Sequence, residues 1–353
     1  MTTGFEIARL RAFSTAVFEA AGLTSGDAAV VTDVLIHADM RGHASHGLTR
    51  IPIYVERLLA KAVKARPEIN IAHVSPSFLY VDGDNGPGPV VSLAAMNAAI
   101  RTAHAQGVCA AAVAHSNHNG TGSYYVEKAV AAGCIAIAMT NAPPSMTVFG
   151  GRQAVIGTNP VTFGTPVRGD TPVLMDMATA VVAKGKIIEA AKRGESIPEG
   201  WALDAEGHPT TDGRAAERGV VLPFSGPKGS AMAIMVEVLC GVLSGGRFAG
   251  SMGNLYSDFV HPQDVGHFML VIDVARTHAA MDFKNRVGDL VEELKRCTLA
   301  EGFDAIRMPG EVEVERLRKA EAKGIGLPDN VVADLDRIAA KVGVKPLTDF
   351  SAE

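Results

Sequence analysis

The sequence lacks an excess of positive charge, a framework of cysteines and any long apolar run, and each absence excludes a class of protein. Its net charge is −5 and its lysines and arginines form no block, whereas nucleic-acid and anionic-membrane surfaces need clustered positive charge. The four cysteines never form a C-x-x-C motif, which is typical of buried thiols in a reducing compartment. No run approaches the roughly 18 apolar residues of a membrane span, and the opening MTTGFEIARL lacks the apolar core of a secretory signal. We therefore expect a cytoplasmic protein that binds neither nucleic acid nor membrane.

The G-x-G-x-x-G fingerprint of Rossmann dinucleotide sites is also missing. Its nearest approach is HNGTGSYYVEKA, in which Gly120 and Gly122 have the right spacing but Tyr125 takes the place of the third glycine. The next apolar run, CIAIAMTNAPP, ends without the carboxylate that a Rossmann site uses to bind a ribose hydroxyl. The sequence therefore argues against a Rossmann fold.

The chain has 353 residues, more than one hydrophobic core usually holds. Its hydrophobic pattern differs between the first sixty residues and the rest. The first sixty residues follow a helical period, and Thr24 followed by Asp27 resembles a capping box. From about residue 70, short apolar runs such as GVCAAAVA and GCIAIAMT alternate with glycine-rich turns and helix-like segments, which predicts an α/β fold. Glycine- and proline-rich loops near 118 and 304 indicate boundaries, so we expect units at residues 1–118, 119–304 and 305–353.

The segment RGHASHGLTR, residues 41–50, concentrates two histidines, a serine and two arginines. If a helix opens near Ser45, the side chains of His46, Arg50 and Tyr54 share one face. An arginine can bind a carboxylate with two hydrogen bonds while a nearby histidine gives or takes a proton near neutral pH. From the residues alone, a catalytic site, a metal site and an unremarkable polar helix start all remain open.

A second H-x-x-H pair, His115 and His118, joins His43 and His46 and raises the question of zinc. Neither pair has a third ligand at a familiar spacing, and H-E-x-x-H is absent, so we predict no metal site. Asp176, at the end of an apolar run, either holds a histidine in one tautomer or caps a turn.

Two loops have the composition of ligand-binding turns. In LPFSGPKGSAMAIMVEVL, Gly226 and Lys228 stand before a long helix, an arrangement that suits a phosphate or carboxylate as well as a plain turn. The segment from Gly157 to Pro160, which includes Thr158 and Asn159, is either a turn or the polar wall of a pocket.

Six segments, in order along the chain, resemble the malate/L-lactate dehydrogenase family. They are DMRGHASHGLTRIPIYVERL, HSNHNGTGSYY, IGTNPVTFGTP, MDMATAVVAKGKI, LPFSGPKGSAMAIMVEVLCGVLSGG and MPGE. The resemblance runs from about Ala8 to Pro346. The family also includes ureidoglycolate dehydrogenase, sulfolactate dehydrogenase, diketogulonate reductase and Δ1-piperideine-2-carboxylate reductase.

The resemblance implies hydride transfer between NAD or NADP and a small 2-oxo/2-hydroxy acid pair in a homodimer. It also implies an α/β fold with a non-Rossmann NAD(P)-binding domain, and a second domain built from the helical N-terminal part and the C-terminal segment. In that reaction a histidine protonates the carbonyl oxygen and a cation holds the carboxylate. The family's roles give His46 as proton donor, Arg50 as carboxylate ligand and Asp176 as the group that orients His46.

The resulting site predictions fall into three sets. The predicted catalytic residues are His46, Asp176 and His118. The predicted substrate contacts are Ser45, Arg50, Tyr54, Thr158 and Asn159. The predicted cofactor contacts are His118, Gly120, Asp176, Met177, Ala178, Lys228, Pro309, Gly310 and Glu311. Asn119 stands where the family usually has an aromatic residue, and this departure changes the wall of the substrate pocket.

Three rival functions remain. A ketimine reductase acting on cyclic 2-imino acids, such as Δ1-piperideine-2-carboxylate, would share most of the same motifs. A zinc-dependent hydrolase would use the two histidine pairs, and a small-anion binding protein would use the arginine without catalysis. We favour an NAD(P)-dependent 2-hydroxyacid dehydrogenase.

Overall fold

The structure, a computed structural model, describes residues 2–277 and 282–350. The first elements are β1 (Thr2–Phe5), α1 (Ile7–Ala20), α2 (Ser25–Met40), α3 (Ile51–Leu59), β2 (Asn70–Ser75), β3 (Phe78–Asp82), α4 (Gly88–Gln106) and β4 (Val108–Ser116). The middle elements are α5 (Gly122–Ala131), β5 (Cys134–Thr140), β6 (Val161–Thr165), β7 (Val173–Met177), α6 (Lys184–Arg193), β8 (Ala202–Leu203), β9 (Pro209–Thr210), α7 (Gly213–Arg218) and β10 (Val220–Val221). The last elements are α8 (Pro227–Val236), β11 (Val265–Asp273), α9 (Phe283–Lys295), α10 (Glu311–Lys323), β12 (Ile325–Pro328) and α11 (Asp329–Lys341).

The two ends of the chain share one hydrophobic core. Strand β1 pairs antiparallel with β12, so the N-terminal helices meet the C-terminal segment. Helices α1, α2, α3 and α11 bury a common set of large side chains, which includes Leu10, Phe13, Phe18, Leu35 and Leu335. Helix α2 begins as the capping pattern predicts, because the Thr24 hydroxyl accepts the Asp27 N–H at 3.2 Å.

A seven-stranded sheet in the order β2-β3-β4-β11-β5-β6-β7 forms the centre of the molecule. Only β3 and β4 pair in parallel, and the other neighbours are antiparallel. A Rossmann sheet is mostly parallel, with its ligand at the point where the strand order reverses. The prediction of an α/β, non-Rossmann fold is therefore confirmed. The predicted boundary at residue 118 falls between β4, a strand of this sheet, and α5, a helix that packs against β5 and β6. The exact domain limits stay a prediction.

A separate cluster of buried apolar side chains lies outside the seven-stranded sheet. The short strands β8, β9 and β10 form their own three-stranded sheet, α7 packs against it, and α6 packs against α7 and shares the cluster. Helix α8 then continues into a π-helical turn over residues 237–242. Among the described residues, the helices are all too short or too polar to cross a membrane.

Candidate active site

The histidine-rich segment adopts a different local structure from the one its sequence predicts. The sequence predicts an α-helix that opens near Ser45, but residues 44–46 and 48–50 form two 3₁₀ turns and α3 begins at Ile51. The break falls at Gly47, where a Cβ atom would lie 2.2 Å from Cγ of Asp39. The Asp39 carboxylate accepts the Leu48 N–H at 2.7 Å and so replaces a helical hydrogen bond. With this hydrogen bond, the backbone forms two 3₁₀ turns before α3 begins.

His46 stacks on His118. The two ring centroids lie 5.4 Å apart and the ring planes differ by 27°. Nδ1 of His46 lies 3.0 Å from the Ser45 hydroxyl. Burial lowers the pKa of His46 to about 4, and the charges of Arg50 and His43 act in the same direction. His46 is therefore a neutral imidazole at neutral pH before any anion binds.

His118 is held in one tautomer. Its Nδ1 faces the Tyr54 hydroxyl at 2.5 Å and accepts the Gly120 N–H at 3.3 Å. With two donors pointing at Nδ1, the ring carries its proton on Nε2. Burial is the main cause that holds the pKa of His118 well below its usual value. Tyr54, predicted as a substrate contact, uses its hydroxyl on His118 in this structure.

Arg50 lies at the mouth of the same cluster. Its Nε donates to the Ser45 carbonyl at 2.6 Å, and one terminal nitrogen contacts the hydroxyl of Tyr256. The guanidinium carbon is 5.5 Å from the centre of the Tyr256 ring. His46, Arg50, Tyr54 and His118 thus come together as the sequence predicts, although through 3₁₀ turns.

Asp176 lies near the end of β7, next to the start of α5. It accepts the Ser123 N–H at 2.8 Å and the Thr162 hydroxyl at 2.9 Å. Among the described residues, the hydrogen bond of His46 goes to Ser45 and none joins it to Asp176. The predicted role of Asp176 in orienting His46 stays a prediction.

A cavity of about 190 Å³ opens beside Asp176. Its walls include the predicted cofactor residues Asp176, Pro309 and Gly310, together with His43 and Ser123. The structure therefore brings two distant predicted segments, MDMAT and MPGE, to one cavity. Met177 and Ala178 directly follow Asp176 at the end of β7.

Three further predicted cofactor residues, Glu311, Gly120 and Lys228, do not line the cavity beside Asp176. Glu311 accepts the Met308 N–H at 3.1 Å and pairs with Lys295, beside a second cavity of about 220 Å³. Gly120 has a φ of +77°, and a Cβ there would lie 2.5 Å from a methyl group of Val34. Lys228 is exposed on the first turn of α8 and does not line either cavity.

Asn159 is fully buried and holds three segments together. Its side-chain oxygen accepts the Ala142 N–H at 3.0 Å, while its amide group donates to Ala233 and Glu237 at 3.0 and 2.9 Å. The neighbouring Thr158 carbonyl accepts both the N–H and the hydroxyl of Thr179. These bonds use both amide hydrogens of Asn159, and its predicted contact with substrate stays a prediction.

Sequence reasoning missed a buried polar network behind His118. The side-chain amide of Asn119 donates to the Ser92 hydroxyl at 3.0 Å, and its backbone carbonyl accepts the Tyr125 hydroxyl at 2.5 Å. His267 lies 2.9 Å from Ser116 through Nε2, and burial lowers its pKa to about 3. Asn119 therefore fits this network in place of an aromatic side chain. Its partners lie up to 148 residues away, so no local pattern reveals them.

The two H-x-x-H pairs do not form a metal centre in the described part of the chain. His115 contacts Asp82 at 3.0 Å instead of the other histidines. Across residues 2–277 and 282–350, the group with suitable metal-ligand spacing is His104, Cys134 and Asp273, which no sequence motif indicated.

A hydroxyacid dehydrogenase requires a proton-exchanging group, a cation for the carboxylate and a cofactor site. This site has a neutral histidine, an arginine beside it and a cavity with predicted cofactor residues.

The chain matches the malate/L-lactate dehydrogenase family model over residues 5–336. It is 36% identical over 311 residues to the NAD(+)-dependent ureidoglycolate dehydrogenase of Escherichia coli strain K12, with 88% of each chain covered. It is 35% identical over 320 residues to an NADP(+)-dependent (2R)-3-sulfolactate dehydrogenase of Chromohalobacter salexigens, covering 91% of this chain and 93% of that protein.

The fold agrees with these relatives. The structure of sulfolactate dehydrogenase from Methanocaldococcus jannaschii superposes with a TM-score of 0.93 at 33% identity, covering 99% of each chain. The protein is therefore an NAD(P)-dependent oxidoreductase of the 2-hydroxyacid dehydrogenase class. It belongs to the malate/L-lactate dehydrogenase family, as the six sequence segments predict. The predictions of enzyme class and of NAD or NADP as cofactor are confirmed, and the zinc hydrolase is not favoured.

Proposed function

We propose that this enzyme reduces a small 2-oxo acid, with Arg50 binding the carboxylate and His46 exchanging the proton at the substrate oxygen. The observation that carries this proposal is the neutral His46 ring, stacked at 5.4 Å on His118 and one 3₁₀ turn before Arg50. A carboxylate on Arg50 would bring the adjacent 2-oxo group toward the imidazole. The nicotinamide supplies the hydride when the cofactor is bound.

The charge of Arg50 gives His46 a substrate-dependent proton affinity. In the free enzyme, burial and the Arg50 charge lower the pKa of His46 to about 4. A bound carboxylate would neutralise Arg50 and add a negative charge, and both changes favour the imidazolium. His46 is then a base toward a hydroxy acid and an acid toward a 2-oxo acid once the substrate is seated.

The β4–α5 loop and the first turn of α5 fit a cofactor. The hydroxyl oxygens of Thr121 and Ser123 are buried without a hydrogen-bond partner in the described residues, and Ser123 lines the cavity beside Asp176. Buried polar atoms without a partner are costly, and a bound dinucleotide would satisfy them. We assign Ser123, Asp176 and the Pro309–Gly310 turn to cofactor binding, with His118 and Gly120 on the side nearest the substrate.

The particular 2-oxo acid can be identified by a screen. Purified enzyme is mixed with NADH or NADPH and each of a panel of 2-oxo acids and cyclic imino acids, and loss of reduced-cofactor absorbance is followed. We expect turnover with 2-oxo acids. Turnover of cyclic imino acids alone would instead support the ketimine reductase.

A homodimer is proposed from an exposed apolar surface on α8 and the residues after it. This patch consists of side chains that are between 39% and 57% exposed: Ile234, Met235, Val238, Val242, Leu243 and Phe248. Contiguous apolar patches of this kind mark association surfaces. Light scattering should give twice the chain mass of 36.8 kDa, and Val242→Asp should lower it to one chain. The matched control is Val74→Asp, because Val74 is 67% exposed on β2, outside the patch.

We place the enzyme in the cytoplasm because its four cysteines form no disulfide in the structure. Cys109, Cys134, Cys240 and Cys297 are all free, and three of them are buried. Free buried thiols are typical of proteins in reducing compartments.

A further inference from the structure

A buried arginine holds the loop that faces the substrate site. Arg57 on α3 is only 1% exposed. Its terminal nitrogens donate to backbone carbonyls of one loop, that of Asp258 and, at 3.4 Å each, those of Leu255 and His261. A planar guanidinium can bind several carbonyls at once, whereas a lysine offers a single point of charge. Arg57 therefore fixes the path of this backbone.

We call residues 252–263 the Arg57 loop. Its own side chains fix it further, since Asn254 accepts the N–H of Tyr256 at 2.9 Å and Asp258 accepts the N–H of His261 at 2.9 Å. At its base, Gly253 donates to the carbonyl of Gln263 at 3.1 Å. A loop with this many internal bonds holds its side chains in defined positions.

The Arg57 loop touches both halves of the substrate site. Near its start, the hydroxyl and ring of Tyr256 contact the guanidinium of Arg50. At its end, the side-chain oxygen of Gln263 accepts the N–H of His118 at 3.1 Å. One loop thus links the proposed carboxylate ligand to the histidine that stacks on His46.

Tyr256 has a donor that is not used. In the contact with Arg50, the guanidinium donates and the tyrosine oxygen accepts. Among the described residues, the Tyr256 hydroxyl accepts from Arg50 and donates no hydrogen bond, and the residue is 59% exposed. A carboxylate bound to Arg50 would place an oxygen next to this O–H.

We propose that Tyr256 is a second donor to the substrate carboxylate, and that Arg57 is the positioning residue that holds it there through the loop. This inference rests on the proposed role of Arg50. It predicts that substrate affinity, rather than the chemical step, depends on both residues.

The first test is Tyr256→Phe, which removes one oxygen from an exposed residue and leaves the ring on Arg50. A hydrogen bond to a charged group that is made in both ground and transition states affects KM rather than kcat. We expect the KM for the 2-oxo acid to rise about tenfold, with kcat and the cofactor KM nearly unchanged. Tyr80→Phe, on β3 and outside the loop, is the control and should leave all three constants unchanged.

The second test joins the two residues in a double-mutant cycle. Arg57→Lys should also raise the substrate KM, but much less when Tyr256 is already phenylalanine, because both act on one contact. Arg152→Lys is the control, since Arg152 also donates to a backbone carbonyl, that of Glu206, outside the loop. Thermal melting shows whether each variant folds, and if Arg57→Lys does not fold, the Tyr256→Phe result decides.

The outcomes separate this inference from the function it rests on. If the enzyme turns over 2-oxo acids and Arg50→Ala raises their KM while Tyr256→Phe does not, the inference is wrong and the proposed function stands. If Arg50→Ala leaves the KM unchanged, the proposed carboxylate site fails first. Additive effects of Arg57→Lys and Tyr256→Phe on the substrate KM would show that Arg57 does not act through Tyr256.

Discussion

Asp39 and Gly47 are in direct contact, and this contact shapes the catalytic segment. The Asp39 carboxylate fills the space where a side chain at residue 47 would stand and accepts the N–H of Leu48 at 2.7 Å. Gly47 therefore separates the turn that carries His46 from the turn that carries Arg50. The spacing of His46 and Arg50 therefore depends on residue 47 having no Cβ atom.

We predict that Gly47→Ala greatly lowers kcat. The new Cβ would lie 2.2 Å from Cγ of Asp39, so either the carboxylate or the turn must move. Overpacking of this kind typically costs about 1–3 kcal/mol in stability, and a small shift of His46 impairs proton transfer. Steady-state kinetics and thermal melting measure both effects. Gly185→Ala is the control, because nothing lies within 4 Å of the Cβ it would add. Normal kcat in Gly47→Ala would contradict the proposed importance of this spacing.

Asp39 should make the folded protein less stable as the pH rises. Burial raises the pKa of Asp39 from 3.8 to about 7, so the folded chain binds a proton that the unfolded chain has already lost. The free energy of unfolding therefore falls between about pH 4 and pH 7 on account of this group.

Asp39→Asn keeps an acceptor for Leu48 and removes this titration. We predict a higher melting temperature than wild type at pH 8 and nearly the same value at pH 4.5. Asp334→Asn, on the exposed side of α11, controls for the loss of a surface carboxylate. An equal shift at both pH values would show that Asp39 does not titrate in this range.

The sequence predicts those parts of the site that lie close together in the chain or carry a family motif. His46, Arg50 and Tyr54 stand within nine residues, and the structure brings them together even though the predicted helix is two 3₁₀ turns. The apolar runs GVCAAAVA and GCIAIAMT also predict β4 and β5, because buried strands leave a local pattern.

Long-range polar contacts leave no such pattern. Tyr256 meets Arg50 across 206 residues, and Gln263 meets His118 across 145. In the π-helical turn after α8, Glu237 likewise accepts from Asn159 across 78 residues. These features depend on how the folded elements meet, which hydrophobic periodicity does not describe.

The pH dependence of the two reaction directions should differ. Because the pKa of His46 in the free enzyme is about 4, the base needed for oxidation is present at all higher pH values. We predict that kcat/KM for oxidation of the hydroxy acid is level above about pH 5 and falls at lower pH, with its midpoint near the free-enzyme pKa of His46, about 4. For reduction, kcat/KM should decline steadily from pH 5 to pH 8, because the protonated form becomes rarer. Initial rates in both directions across this range test the prediction, and a common midpoint near 6.5 would contradict it.

His46 and Arg50 should fail in different ways when each is replaced by alanine. Removing a positioned acid or base costs about a hundredfold to ten-thousandfold in turnover, so His46→Ala should lower kcat by that order and leave the cofactor KM nearly unchanged. Arg50→Ala removes a contact present in both ground and transition states, so its effect should appear mainly as a raised substrate KM. Some loss of kcat is also expected, because a loosely held carboxylate misplaces the reacting carbon.

The controls for this pair are an exposed histidine and an exposed arginine outside the site. His73→Ala on β2 and Arg66→Ala before it should leave the kinetics unchanged, since surface substitutions usually alter stability by under about 0.5 kcal/mol. A folded His46→Ala enzyme with near-normal kcat would refute the assignment of His46. His118 would then be the leading candidate, because its Nε2 carries the proton in the tautomer that Tyr54 and Gly120 impose.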